Sequence, residues 1–144
     1  MNAPLYNIEI LRLAATIPHH QRLPDPMGTS ERRSPICGSR VTVDVDMDRD
    51  GRVSGLGMLV NACALGQASA SLMGASVIGK SAAEIATARD ALTAWLAGAG
   101  AVPDWPGFAL FTPALPHSAR HASIRLAFEA AAEAAATAAA KVAA

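Results

Sequence analysis

The chain has 144 residues with 12 basic and 12 acidic side chains. That zero formal balance removes any electrostatic argument for nucleic acid or an anionic membrane surface. Apolar residues make up 51% but aromatics only 4%, so much of the apolar fraction is alanine, and no run of about 18 strongly apolar residues marks a membrane span. The length fits one domain over residues 1–144, able to bury roughly two-thirds of its unfolded surface. Met1 to Tyr6 shows no basic patch followed by an apolar stretch, so no secretory signal is expected. The two cysteines, Cys37 and Cys63, are then expected to stay reduced in the cytoplasm, where thiols serve more often as ligands or nucleophiles than as cross-links.

Ile10, Leu13, Ala14 and Ile17 make one helical stripe over residues 7–17, with Asn7 as N-cap and Pro18 as terminator. From His19 to Pro35, prolines, Gly28 and charged residues predict a loop, with His19 and His20 as an exposed pair. Val41, Val43, Val45 and Met47 alternate with Thr42, Asp44, Asp46 and Asp48, which predicts a strand buried on one face. Asp48-Arg49-Asp50-Gly51 turns the chain, and Arg52 to Val60 returns as the second strand. Leu65, Ser69, Leu72, Met73 and Ser76 then share a helical face. Ser81-Ala82-Ala83-Glu84 opens another helix as a capping box, with Ile85, Ala88, Leu92, Trp95 and Leu96 inward. Residues 98–117 read as a long Pro/Gly loop carrying Trp105, Phe108, Leu110 and Phe111, with room for one short strand. A last helix starts near Ser118 and buries Ile124, Phe128 and Ala131. Its alanine-rich tail from about residue 130 is expected to bury little and to fray.

Two patterns invite metal chemistry. Asp46-x-Asp48-x-Asp50-Gly51 copies the opening of an EF-hand loop, but Gly57 stands where a bidentate glutamate is required, and strands flank it. These aspartates therefore read as the solvated face and turn of a hairpin. The other pattern is softer in character: Cys37 before a strand, Cys63 at a helix start, and His121 at the start of the last helix. Thiolate and imidazole together suit zinc, iron or an iron–sulfur cluster, and do not suit calcium or magnesium. A helix N-terminus would favour the Cys63 thiolate, and Arg40 or Arg120 would act in the same sense.

The order of these segments resembles the U-type iron–sulfur cluster assembly scaffolds, the family of IscU, SufU and the N-terminal part of NifU. Leu5-Tyr6-Asn7-Ile8-Glu9-Ile10 resembles the family's opening helix, and Cys37-Gly38 before the hairpin resembles its first ligand segment. Asn61-Ala62-Cys63-Ala64-Leu65-Gly66-Gln67-Ala68-Ser69 resembles the second, and Gly79-Lys80-Ser81 a family capping segment. Leu115-Pro116 followed by His121-Ala122-Ser123 resembles the last ligand motif. The likeness spans roughly residues 5–135. It also has departures. Ala122 stands where the family places a third ligand cysteine, and Ser39 where it commonly has an aspartate that aids cluster release. Leu115-Pro116-His117-Ser118-Ala119 replaces the Leu-Pro-Pro-Val-Lys chaperone-recognition motif of one branch.

The resemblance implies an α+β fold, a SufE/NifU-like sandwich in which a small antiparallel sheet is covered mainly on one face by helices. It implies a scaffold or carrier binding iron or a [2Fe–2S] cluster through Cys37, Cys63 and His121, with no turnover of its own. Ser39, Gln67, Arg120 and Ser123 are candidate partners around those ligands. The implied partners are a cysteine desulfurase and apo iron–sulfur proteins, with no nucleic acid and no membrane. Two other readings stay open: a zinc-bound sulfurtransferase that takes persulfide sulfur on Cys63 or Cys37, and an interaction protein that has lost the metal. Ala122→Cys is expected to lengthen the life of a bound cluster by restoring a thiolate.

Overall fold

A computed structural model describes residues 6–35 and 38–144. Cys37 and Leu5, both used above, lie outside the described residues. Asn7 caps α1 (Ile8–Ala15) as expected, its Oδ1 accepting the Ile10 N–H at 3.0 Å. Ile10 is buried, and Leu13 and Ile17 pack against the same core.

The sheet has three antiparallel strands in the order β1-β2-β3, and the first of them corrects the sequence reading. β1 (Gly28–Arg33) lies inside the stretch expected to be loop. Its sequence, Gly-Thr-Ser-Glu-Arg-Arg, has no apolar alternation to announce a strand. It is held instead by its ladder to β2 (Arg40–Met47), in which Ser30 faces Val43 and Arg33 faces Arg40. β3 (Val53–Asn61) pairs on the other side of β2, with Val43 opposite Met58 and Asp44 opposite Gly57. Asp48 closes the hairpin turn, its Oδ1 accepting the Asp50 and Arg52 N–H groups at 2.9 and 3.0 Å.

α2 (Ala64–Ser76) and α3 (Ala82–Leu96) follow as expected, and α3 opens with the full Ser81–Glu84 capping box. The segment after α3 forms no strand. Phe108–Ala114 winds into a 3-10 helix, and Ser118–Arg120 makes a second short 3-10 turn that delays α4 to His121–Ala143. Aromatic packing explains the first of these: Phe108 and Trp105 both converge on Phe128 of α4, at 5.0 and 5.1 Å between ring centroids. The Trp105 indole N–H also donates to the Leu72 carbonyl at 2.8 Å, which satisfies its polar edge within the core.

α4 is the central element, lying on β1 and β2 and packing against α2 and α3. Its alanine-rich half corrects the expectation of a frayed tail. Ala130, Ala131, Ala132, Ala134, Ala135 and Ala138 are all buried. The reason is distance. A Cβ added to Gly28 would collide with the Ala134 carbonyl oxygen and stand 2.9 Å from the Ala138 nitrogen. Helix backbone and strand backbone therefore touch, and only side chains as small as alanine permit that approach.

The opposite face of the sheet holds a further correction. Asp48 and Asp50 are exposed as expected, but Asp44 is fully buried and Asp46 half-buried. The segment between α1 and β1 closes over them. Arg22 donates from Nε and Nη2 to the two Asp44 carboxylate oxygens at 2.7 and 3.1 Å, and the Leu23 N–H adds a third bond at 3.0 Å. Asp46 Oδ1 accepts the Met27 N–H at 2.9 Å. Burial pushes the Asp44 carboxyl up, but hydrogen bonds from Arg22, Thr29 and the Leu23 N–H outweigh it and leave the group below its ordinary range. Gly57, opposite Asp44, makes room for the crossing chain: a Cβ there would stand 2.8 Å from the Leu23 nitrogen. Among the described residues no helix is long and apolar enough to cross a membrane.

Candidate metal and thiol site

Cys63 is the N-cap of α2, with extended backbone (φ −65°, ψ 170°) between β3 and the helix. The Gln67 N–H returns to its carbonyl at 2.9 Å, so Gln67 sits one turn inside the same helix. The Cys63 thiol is free and half-buried. Its sulfur lies 3.1 Å from the Ser123 hydroxyl oxygen, which lies 3.4 Å from the Ser39 hydroxyl oxygen. Three segments distant in sequence thus meet at this edge: the residues before β2, the start of α2 and the first turn of α4. Gly66 allows the two helices to approach, because a Cβ there would stand 2.6 Å from Ser123 Oγ. The sequence marks Ser123 as a candidate partner of the ligands, whereas Gly66 reads there as one small residue among many. Only the crossing of α2 and α4 shows that they belong together.

His121 is buried with 7% exposure, and its Nε2 lies 2.9 Å from the Ala114 carbonyl oxygen. A carbonyl only accepts, so Nε2 carries the proton, and in the neutral ring Nδ1 keeps the free lone pair. This is the tautomer that backbone carbonyls enforce on metal-binding histidines, in which one nitrogen is anchored and the other is free to ligate. Helix rotation of about 100° per residue separates His121 from Ser123 by roughly 200°, which sends one side chain toward the 3-10 segment and the other toward Cys63. Ala122 is half-buried between them, and Arg120 is exposed at the helix start. Arg40 begins β2, its guanidinium 3.8 Å from a Glu31 carboxylate oxygen. Among the described residues, no group of three or more His, Cys, Asp or Glu side chains is placed to hold a metal ion, and Cys37 lies outside them. The contacts therefore join Cys63, Ser123 and Ser39 directly.

No protein-family model and no curated protein matches the chain. Solved structures do. The crystal structure of a nitrogen-fixing NifU-like protein (N-terminal) from Brucella abortus is 39% identical and superposes with a TM-score of 0.86, covering 93% of this chain and 94% of that one. A protein from the thermophile Fervidobacterium islandicum AW-1, described as an iron–sulfur cluster assembly scaffold for the SUF system, is 19% identical with a TM-score of 0.83. That alignment covers 91% of this chain and 96% of the other, and it is a likeness of fold. The α+β fold expected from the resemblance is the observed one, a three-stranded antiparallel sheet backed by helices. With 39% identity across nearly the whole length of both chains, this protein belongs to the NifU-like, or U-type, family.

Proposed function

We propose that the chain, as one scaffold domain over residues 1–144, carries iron or a [2Fe–2S] cluster as cargo during iron–sulfur cluster assembly. Its ligands are Cys37, Cys63 and His121. Sulfur arrives from a cysteine desulfurase, and the cluster leaves to apo-proteins in the cytoplasm, with the thiols kept reduced. The observation that supports this reading is the placement of Cys63. The half-buried Cys63 thiol stands at the N-cap position of a helix without bonding the helix N–H groups, and it is neither paired in a disulfide nor sealed in the core. Such a sulfur is accessible to a donor and to an acceptor. His121 adds an imidazole whose orientation the Ala114 carbonyl fixes.

The test is anaerobic reconstitution with ferrous iron and sulfide, read by visible absorption and by iron and sulfide content. Cluster should form in the natural protein, and Cys63→Ser should reduce it to near background. The far-ultraviolet circular dichroism of that variant should be unchanged, because the fold rests on buried apolar residues such as Val43, Leu92 and Phe128. Absence of cluster, together with a persulfide on Cys63 after incubation with desulfurase and cysteine, would replace the carrier with a sulfurtransferase. Absence of both would leave an interaction protein.

A further inference from the structure

On the face of the sheet away from α4, a cavity of about 320 Å³ lies between the segment after α1 and the Arg40–Asn61 end of the ladder. Small-molecule sites begin near that size, at about 300 Å³. His20 and Arg22 form one wall. His19, just before them, is left-handed (φ 56°), the one non-glycine residue among the described residues with a positive φ. Its carbonyl accepts the Gln21 and Met58 N–H groups at 2.8 and 3.0 Å, so a strained residue pins this wall to β3. His20 Nε2 accepts the Val60 N–H at 3.4 Å, which leaves Nδ1–H as a donor. Arg22 spends Nε and Nη2 on Asp44 and keeps Nη1. Across the cavity, the Asn61 side-chain amide has no hydrogen-bond partner among the described residues. Arg40 comes only within 3.8 Å of Glu31, too far for a hydrogen bond. Glu31 itself is already taken, by Arg33 at 3.1 Å and Thr42 at 3.3 Å. Donors therefore outnumber acceptors here. Charge is uneven too: Asp44 offsets Arg22 and Glu31 offsets Arg33, which leaves the positive charge of Arg40 uncompensated. Leu59, 47% exposed, adds an apolar flank.

We propose that this cavity binds a small organic monocarboxylate. The Arg40 guanidinium takes its two oxygens as a fork, His20 and Asn61 donate to the same group, and Leu59 covers its apolar body. A planar fork matches a carboxylate in shape, and a charge-assisted pair is about twice as strong as a neutral hydrogen bond. The single spare positive charge sets the valence of the ligand. A second negative charge would face Glu31 with nothing to balance it. The site does not depend on whether the chain carries metal, although Asn61 lines it two residues before Cys63.

Proton–nitrogen correlation NMR of the full chain, titrated with hexanoate, hexanamide and inorganic phosphate, tests this. Hexanoate should shift the backbone signals of Thr42, Leu59, Val60 and Asn61 together and to saturation. Hexanamide has the same body without the charge and should not bind, and phosphate should bind more weakly than hexanoate. Arg40→Gln should weaken hexanoate binding by about tenfold or more. Leu59→Ser should weaken hexanoate and leave acetate as it was. Equal binding of hexanamide, tighter binding of phosphate, shifts confined to other residues, or unchanged hexanoate affinity in either variant overturns the proposal. Should a variant fail to fold by circular dichroism, the comparison of hexanoate with hexanamide on the natural protein decides. Iron reconstitution does not enter this titration, so the carrier reading and the carboxylate site can fail separately.

Discussion

The two faces of the sheet are closed by opposite physics. On one face α4 lies so near that Gly28 of β1 touches the Ala134 backbone, and the contact is made of methyl groups, glycine and branched aliphatic residues. On the other, a chain segment without regular structure is held down by carboxylates, with Asp44 taking two bonds from Arg22 and one from Leu23. The first face is stabilised by area and tight packing, the second by a few directed bonds. They should therefore fail in different ways.

The largest expected effect is on the packed face. Gly28→Val would drive a branched side chain into the Ala134 carbonyl, and neither backbone can yield, so about 3 kcal/mol or more should be lost. Urea denaturation reads this, and an unchanged midpoint would mean that α4 stands further from β1. On the other face, Gly57→Ala pushes a methyl group against the Leu23 nitrogen, but a single overlying segment can lift, so about 2 kcal/mol is expected. Asp44→Asn should follow at about 1.5 kcal/mol, because the Arg22 and Leu23 donors lose a charged acceptor.

The Asp44 loss also carries a pH signature. The carboxyl titrates lower in the folded protein than when unfolded, so the unfolded chain binds more protons and stability rises with pH through that interval. Asp44 therefore contributes fully above its unfolded value, and its contribution disappears as pH falls through the folded value. Thermal melts of the natural protein and Asp44→Asn should converge in acid and separate toward neutrality. A constant gap would remove the carboxylate from the account. The smallest effect is Asp46→Ala, which frees the half-exposed Met27 N–H at about 0.5–1 kcal/mol, measurable in the same melts.

This contrast also explains what the sequence disclosed. Period-2 alternation of Val41, Val43, Val45 and Met47 announced β2, and Ser81 with Glu84 announced α3, because apolar periodicity and capping are local signals. β1 stayed hidden because Gly-Thr-Ser-Glu-Arg-Arg draws its strand character from a neighbour rather than from its own side chains. Asp44 and Asp46 read as solvated because a charged alternation looks the same whether water or an arginine-bearing loop lies above it. The alanine tail read as weak because burial was equated with large side chains, whereas here smallness creates the contact. At the site, Cys63 and its helix start were legible from one segment. Ser123 was legible as a candidate partner of the ligands but not as a direct contact of Cys63, because that distance depends on how two helices cross.

The central position of α4 has a consequence for how the protein comes into being. Synthesis is vectorial, and domains fold as their chains emerge. The element that covers the sheet and brings Ser123 to Cys63 is the last one of the described chain, so Gly28 waits for Ala134 and Ser39 and Cys63 wait for Ser123. Until those residues leave the ribosome, the valine face of β2 and the Cys63 thiol are both uncovered. The nascent chain thus passes through a stage in which a valine-rich strand and a cysteine thiol are exposed together, and one helix closes both.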